Sequence, residues 1–448
     1  MKHLLIMLAG WTLLPMALFA QSLQSIYSFT DGSDGANPYA GLTLGPDGNF
    51  YGTASQGGSS KYGTVFQVTT NGVLKPLYSF TGGNDGANPD AALTLGPDGN
   101  FYGTTTGGTR SHGTVFRLAT NGNVAPLYSF IGGISGASPY AALTLAPSGN
   151  LYGTTEGGTN GNGTVFQVAT NGGLTPLHSF TGGIGGANPY AALTLGPDGN
   201  FYGTTEGGGG LGAGTVFRVA TNGGVTPVYS FTGGNDGANP YAALTLGPDG
   251  KFYGVASAGG SSGKGTIFQV TTNGVLTPLY SFTGGNDGAN PHALLLGLYG
   301  NFYGTTSKGG SSGNGTVFRV TMNGAFTPLY SFIGGINGAD PIAGLTLGPD
   351  GNLYGTTYEG GSDGVGVIYR LNLSVAPIIS QATLNGDGNI LLSLVTATNV
   401  SSQVYVATNL TPPVVWQPVD TNLNGGSWQF TDTNTSGINA KYYRLSTP

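Results

Sequence analysis

The chain has 448 residues, of which 85 are glycine, none is cysteine and only 7% are charged, with a net charge of −6. The lack of cysteine excludes disulfide bonds, thiolate metal sites and a cysteine nucleophile, and the few scattered Lys and Arg residues exclude the basic patch that nucleic-acid binding requires. Aromatic residues make up 11% of the chain. A disordered chain lacks that apolar surface, so the glycines indicate turns between short strands.

Residues 1–20 have the layout of a secretory signal peptide. Basic Lys2 precedes a mostly apolar run that ends at Ala20, and polar Gln21 follows. No later stretch approaches the roughly 18 to 20 continuous apolar residues that a membrane span requires. We therefore predict a secreted or cell-surface protein with no transmembrane span in the mature chain.

A repeat occupies residues 21–374. Its marker is the segment YSF or HSF, which returns every 50 or 51 residues and begins at Tyr27, Tyr78, Tyr128, His178, Tyr229, Tyr280 and Tyr330. A period in this range is typical of β-propellers and solenoids.

One copy, residues 89–130, contains four strand signals, which we name A to D. They read AALTL, NFYGTT, GTVFRLAT and VAPLYSF, and the turn sequences GPDG and NG separate A from B and C from D. Alternating apolar, β-branched and aromatic residues between such turns predict β-hairpins. Four strands in each of seven copies predict an all-β fold, a seven-bladed β-propeller.

The strand count is uneven at the two ends of the repeat region. Strands A, B and C occur seven times, but a D strand follows only six of them, and residues 22–30 carry a D-type sequence with no copy before it. We predict that residues 22–30 pair with the strand around Gly366–Leu371 and complete blade 7. An unfinished blade would expose unpaired backbone groups.

The repeat unit, LYGTT…GG…GTVF…NG…LYSF, resembles that of the secreted bacterial choice-of-anchor GloVer-repeat proteins over residues 22–373. This resemblance implies an extracellular or surface protein and no established activity. Strands A and B also resemble those of NHL-type propellers, which implies that the strands run from A at the centre of the ring to D outside.

Residues 375–448 differ from the repeat, because glycine becomes sparse and both Trp416 and Trp428 lie here. Five or six short apolar segments predict a small C-terminal β-sandwich. The region resembles the C-terminal β-modules of many secreted bacterial proteins, some of which serve in sorting.

The D–A and B–C loops share one face of a propeller, and we take this loop face as the candidate binding surface because loops carry function more often than scaffold strands. In each copy one residue follows the proline of the D–A loop and begins the innermost strand; these residues are Tyr39, Asp90, Tyr140, Tyr190, Tyr241, His292 and Ile342. Tyrosines around the channel mouth can stack on sugar rings or peptide side chains. The alternative is that they pack between blades or plug the channel.

Two glutamates, Glu156 and Glu206, occupy matching positions at the end of strand B in adjacent blades. A carboxylate pair is what a glycosidase requires. The other copies carry Ser55, Thr106, Ser257, Ser307 and Tyr358 there, which is typical of a solvated loop edge.

Four aspartates in the D–A loop, Asp34, Asp85, Asp236 and Asp287, raise the question of a calcium site. Calcium takes six to eight oxygen ligands, and three copies have no carboxylate at this position. We predict a turn role for these aspartates, no metal site and no cofactor.

The sequence favours a monomeric, non-enzymatic interaction module whose partner is an extracellular glycan or a surface protein. The first alternative is a polysaccharide-acting hydrolase or lyase that uses Glu156 and Glu206. The second alternative is a purely structural envelope protein.

Overall fold

A computed structural model describes residues 22–221, 223–297, 300–373, 378–384, 389–396, 402–407, 417–422, 426–433 and 442–446. The leader, residues 1–20, lies outside the described residues. No α-helix occurs in the described part of the chain, and its helical segments Gly133–Ser135 and Gly335–Asn337 are single 3-10 turns. The propeller forms one compact unit, Leu23–Gly348 with Leu353–Leu371, and the described residues that follow Leu371 belong to a second unit.

Seven four-stranded antiparallel sheets form the blades, and this confirms the predicted all-β, seven-bladed propeller. The strands of blades 1 to 3 are β2 (Thr43–Leu44), β3 (Phe50–Ala54), β4 (Thr64–Val68), β5 (Leu74–Ser79); β6 (Thr94–Leu95), β7 (Phe101–Thr105), β8 (Thr114–Leu118), β9 (Val124–Ser129); and β10 (Thr144–Leu145), β11 (Leu151–Thr155), β12 (Thr164–Val168), β13 (Leu174–Ser179). Those of blades 4 to 6 are β14 (Thr194–Leu195), β15 (Phe201–Thr205), β16 (Thr215–Val219), β17 (Val225–Ser230); β18 (Thr245–Leu246), β19 (Phe252–Ala256), β20 (Thr266–Val270), β21 (Leu276–Ser281); and β22 (Ala289–Leu296), β23 (Phe302–Lys308), β24 (Thr316–Val320), β25 (Phe326–Ser331).

Blade 7 takes its strands from both ends of the repeat region. Its sheet has the order β1 (Leu23–Ser28), β28 (Val367–Leu371), β27 (Leu353–Thr357) and β26 (Thr346–Leu347). Strands β1 and β28 are antiparallel, with Leu23 opposite Leu371 and Ser28 opposite Val367. Phe29, directly after β1, is fully buried and packs with Phe66 of blade 1.

Strand A is shorter than its five-residue sequence signal, which is a correction to our prediction. In six blades only its last two residues pair with strand B, as Thr43 does with Tyr51. The residues just before them, such as Ala40 and Gly41, face the cavity described below instead. Blade 6 alone has a long inner strand, β22, of eight residues.

The core lies between neighbouring blades, because each sheet packs against the preceding sheet on one face and against the following sheet on the other. Every residue of β3 is buried. Tyr51 of blade 1 packs against Phe101 of blade 2 with ring centroids 4.2 Å apart. Gly52 is required there, since a Cβ atom would lie 2.5 Å from the ring of Phe66.

Threonine hydroxyls join successive blades around the inner ring. Thr43 Oγ1 donates a hydrogen bond of 2.6 Å to the carbonyl oxygen of Leu93 in the next blade. The same bond recurs from Thr94, Thr144, Thr194, Thr245 and Thr346. Blade 6 has Leu295 at this position. These bonds hold the innermost strands, and hence the candidate site, in a rigid ring.

The second unit contains two three-stranded sheets. One has the order β29 (Ile378–Leu384), β30 (Ile390–Thr396), β33 (Gly426–Asp432), and the other has the order β32 (Gln417–Asn422), β31 (Ser402–Ala407), β34 (Tyr442–Ser446). Leu392 of the first sheet and Val404 and Tyr443 of the second belong to one buried cluster. Trp416 lies outside the described residues. No helix within the described ranges is long and apolar enough to cross a membrane.

Candidate functional site

The D–A and B–C loops are tied together on one face of the ring. Ala36 of a D–A loop forms an isolated β-bridge with Gln56 of the B–C loop in its own blade. The next residue, Asn37, has a φ of +52° and its N–H donates to the carbonyl oxygen of Val365 in the preceding blade. Asparagine tolerates this left-handed backbone better than most residues. Each loop therefore fixes the proline and the residue that follows it.

The seven residues that follow these prolines line a single cavity of about 640 Å³ at the loop face; they are Tyr39, Asp90, Tyr140, Tyr190, Tyr241, His292 and Ile342. Glu206 also lines it, together with small residues such as Gly41 and Ala91. Each copy of the repeat thus contributes one side chain at the same level of one cavity.

The aromatic side chains of the cavity differ in how freely they can be reached. Tyr39 is 44% exposed and meets Tyr358 edge to face at 6.1 Å. Tyr140 and Tyr190 are half-buried, with ring centroids 5.6 Å apart. An exposed ring face is available for stacking, so Tyr39 offers the most open surface of the three.

Tyr241 and His292 instead bind each other. The Tyr241 hydroxyl lies 2.7 Å from Nδ1 of His292, and the two rings meet edge to face at 5.0 Å. The register of β22 shifts between Pro291 and Ala293, so His292 is the extra residue of a β-bulge, a device that re-aims a side chain. Burial lowers the pKa of His292 to about 3, which makes this ring neutral.

Asp90 is the one carboxylate among the seven residues that follow the D–A loop prolines, which we call the ring residues. Its Oδ2 accepts a hydrogen bond of 2.8 Å from the hydroxyl of Thr106. Burial raises the pKa of Asp90 to about 6, and the Thr106 bond offsets only part of that effect. Burial raises the pKa of its ring neighbours Tyr39 and Tyr140 as well, and the negative charge of Asp90 adds to both shifts.

Glu156 and Glu206, which match in sequence, have different surroundings. The Tyr190 hydroxyl donates a hydrogen bond of 2.6 Å to Oε1 of Glu156, whereas Glu206 lines the cavity. By the symmetry of the ring Tyr241 would bond Glu206, but its hydroxyl is held by His292. Burial and the charge of Glu156 raise the pKa of Glu206.

The D–A loop aspartates stabilise the turns in which they lie by accepting hydrogen bonds. Asp34 accepts hydrogen bonds from the hydroxyl of Tyr27 at 3.0 Å, from the backbone N–H of Thr30 at 2.8 Å and from its hydroxyl at 2.6 Å. The same three bonds recur at Asp85, Asp236 and Asp287. Among the described residues no three His, Cys, Asp or Glu side chains are grouped so that they could hold a metal ion.

Sequence reasoning placed two residues of the site, Thr106 and Tyr358, at a solvated loop edge and did not assign them to the site. Thr106 bonds Asp90, and Tyr358 packs on Tyr39. Both occupy the position that Glu156 has in blade 3. Both residues could have been identified from the sequence, because this position at the end of strand B lies beside the ring residues.

The solved structures similar to this chain include enzymes and one bacterial surface component. A gluconolactonase from Xanthomonas campestris is 14% identical, with 64% of this chain and 89% of that chain covered and a TM-score of 0.42. PorZ, a surface component of the type-IX secretion system of Porphyromonas gingivalis, is 12% identical, with 92% and 57% covered and a TM-score of 0.50. At these identities the likeness to PorZ is one of fold alone.

The comparison with curated proteins gives no match. The family model described as the Gloeobacter/Verrucomicrobia repeat matches residues 12–217 and 190–409. These ranges cover most of the chain and confirm the resemblance drawn from the repeat unit. The protein belongs to the Gloeobacter/Verrucomicrobia repeat family.

Proposed function

We propose that this protein is a non-enzymatic extracellular binding module that recognises a glycan through its loop-face cavity. One observation carries the proposal: every copy of the repeat contributes one side chain to a single cavity, and four of these side chains are tyrosines. The symmetry of the propeller brings equivalent positions together at the channel mouth, and four of these seven positions present tyrosine side chains to the cavity.

The chemistry of the cavity fits a saccharide. Tyrosine presents an apolar face, which stacks on a sugar ring, and a polar tip, which hydrogen-bonds a hydroxyl. The carboxylates of Asp90 and Glu206 supply acceptors for further sugar hydroxyls. The volume of about 640 Å³ lies in the range of small-molecule sites, roughly 300 to 1,000 Å³.

The test is a glycan array with the full chain, followed by calorimetric titration of any saccharide that binds. We expect Tyr39→Ala and Tyr140→Ala each to lower the affinity for that saccharide about tenfold. The matched control is Tyr62→Ala, since Tyr62 is 45% exposed on a B–C loop but does not line the cavity. An array without any bound saccharide, or full affinity in Tyr140→Ala, would contradict the proposal.

A polysaccharide-acting enzyme is the second candidate, and one observation favours it. Burial and the charge of Glu156 raise the pKa of Glu206, which lines the cavity. A carboxyl group with a raised pKa can act as a general acid beside a second carboxylate. Product release from a polysaccharide that stops in Glu206→Gln and persists in Glu359→Gln would establish catalysis. Glu359 is an exposed carboxylate outside the cavity.

We further infer that β1 closes the ring and that residues 375–448 form a β-sandwich module for sorting or attachment at the cell surface. The pairing of Leu23 with Leu371 and the seam cluster around Phe29 support the closure. The cluster shared by Leu392 and Val404 supports the sandwich. If neither binding nor catalysis is found, a structural envelope role is the remaining explanation.

A further inference from the structure

The charge of the cavity restricts the ligands that it can accept. The described residues that line it include two carboxylates, Asp90 and Glu206, and neither lysine nor arginine. His292 is neutral at physiological pH. Lys308, the last residue of β23, pairs with Asp340 at 3.2 Å, and its charge helps to lower the pKa of His292. The cavity therefore has a negative potential, which repels anionic ligands such as uronic acids and attracts cations.

Asp90 is open on one side. Its Oδ2 accepts the hydrogen bond from Thr106, and within the described ranges no donor bonds Oδ1. Because Asp90 lines the cavity, this free oxygen can accept a hydrogen bond from a ligand. A half-buried carboxylate that lacks a charged partner is stabilised by a ligand that brings a positive charge.

Aromatic side chains flank this carboxylate in the two neighbouring blades. Tyr39 and Tyr140 hold the same position in the blades before and after that of Asp90, and the negative charge of Asp90 acts on both phenols. A cation is attracted both to a carboxylate and to the faces of aromatic rings. The three side chains thus combine the two kinds of group that recognise an organic ammonium.

We propose that the ligand carries a primary ammonium group, which Asp90 binds between the rings of Tyr39 and Tyr140, and that the ligand is an oligosaccharide of amino sugars. This inference rests on the proposed glycan-binding function and adds the chemical class of the glycan. The ammonium donates to the free Oδ1 of Asp90. Adjoining pyranose rings stack on the remaining tyrosines.

An amino sugar fits the site better than a lysine side chain. The cavity of about 640 Å³ is lined by four tyrosines, and flat rings complement pyranose rings. A single linear alkyl chain would leave most of that surface uncovered. Asp90 is the only carboxylate among the seven positions that follow the D–A loop prolines, and Glu206, the other carboxylate of the cavity, lies in blade 4.

The experiment compares two pentasaccharides that differ only in N-acetylation. The full chain is titrated at pH 6.5 with a glucosamine pentamer and with an N-acetylglucosamine pentamer. We expect the glucosamine pentamer to bind about tenfold more tightly or better, because only this sugar brings a charge to Asp90. A galacturonate pentamer should not bind.

Two substitutions test the role of Asp90. Asp90→Asn keeps the side-chain shape and an acceptor for Thr106, and Asp90→Tyr introduces the residue that four other copies have. Both variants should lose the preference for glucosamine and keep a cooperative thermal transition. Glu359→Gln removes an exposed carboxylate outside the cavity and should keep the preference.

Three results would overturn the inference, and they are distinguishable. Equal affinity for both pentamers, or an unchanged preference in Asp90→Asn, would refute the ammonium site and leave glycan binding intact. Tighter binding of a lysine pentapeptide than of the glucosamine pentamer would assign the site to a protein partner. Failure of every saccharide to bind would refute the proposed function itself.

Discussion

The copies of the repeat agree where blades contact each other and differ where they line the cavity. At the blade contacts, the threonine that bonds the next blade recurs in six copies, and the Phe of the YSF segment is buried in all seven. Around the cavity, the same ring position holds Tyr39, Asp90, His292 or Ile342 in different blades. A rigid, uniform scaffold thus carries a varied set of side chains, as expected when loops provide the function.

The largest expected effect concerns the seam of the scaffold. Deletion of residues 22–30 removes β1 and the fully buried Phe29, and we expect it to lower the free energy of unfolding by about 5 kcal/mol or more. Urea denaturation measures this loss. Phe180→Ala, at the same position in blade 3, should cost about 3 to 5 kcal/mol. A deletion that costs less than Phe180→Ala would show that β1 does not close the ring.

A smaller effect, of opposite sign, is expected at the cavity. Burial raises the pKa of Asp90 from 3.8 to about 6. The native state therefore binds more protons than the unfolded state between these values, and stability falls as pH rises through this window. The loss in the free energy of unfolding is about 3 kcal/mol, which Asp90→Asn should restore at pH 7.

Melting of Asp90→Asn and the parent chain at pH 4 and at pH 7 checks this prediction. The advantage of the variant should be small at pH 4, just above the unfolded-state pKa of 3.8, and large at pH 7, above the folded-state pKa of about 6. Equal melting temperatures at both pH values would mean that Asp90 is not held in a desolvated site.

Tyr369 differs from the residue that the other blades have at its position, and it should destabilise blade 7. Its hydroxyl is buried and has no hydrogen-bond partner among the described residues, whereas the other six copies have phenylalanine, such as Phe166, at this position. An unpaired buried hydroxyl costs about 1 to 3 kcal/mol. Tyr369→Phe should raise the melting temperature, and Phe166→Tyr should lower it. A destabilised Tyr369→Phe would reveal a partner for the hydroxyl.

The smallest effect tests the bonds between blades. Thr204 Oγ1 donates to the carbonyl oxygen of Ala242 at 2.9 Å in the buried interface, and blade 5 has Val255 at the equivalent position. Thr204→Val should lower the free energy of unfolding by about 1 kcal/mol. Val255→Thr, which supplies the hydroxyl that blade 5 lacks at this position, should raise it by a similar amount, and urea denaturation measures both. Two neutral substitutions would indicate that hydroxyls at this position do not stabilise the contact between blades.

Local patterns were sufficient to predict the blades, because turns and alternating strands are encoded within one copy. They overestimated strand A: the residues around Ala40 and Gly41 have the composition of a strand but turn toward the cavity. Comparison of the copies was enough to identify the ring residues from Tyr39 onward. It could not separate Glu156 from Glu206, whose difference depends on His292 two blades beyond Glu206.

The pairing of Leu23 with Leu371 also sets the order in which the propeller can be completed. Contacts within the other six blades are local and can form as soon as each copy has emerged. Strand β1 must wait for the last copy, since its partner lies at the far end of the repeat region. Long-range pairings of this kind form late and slowly. A chain that crosses a membrane before its final copy appears would therefore cross with its ring still open.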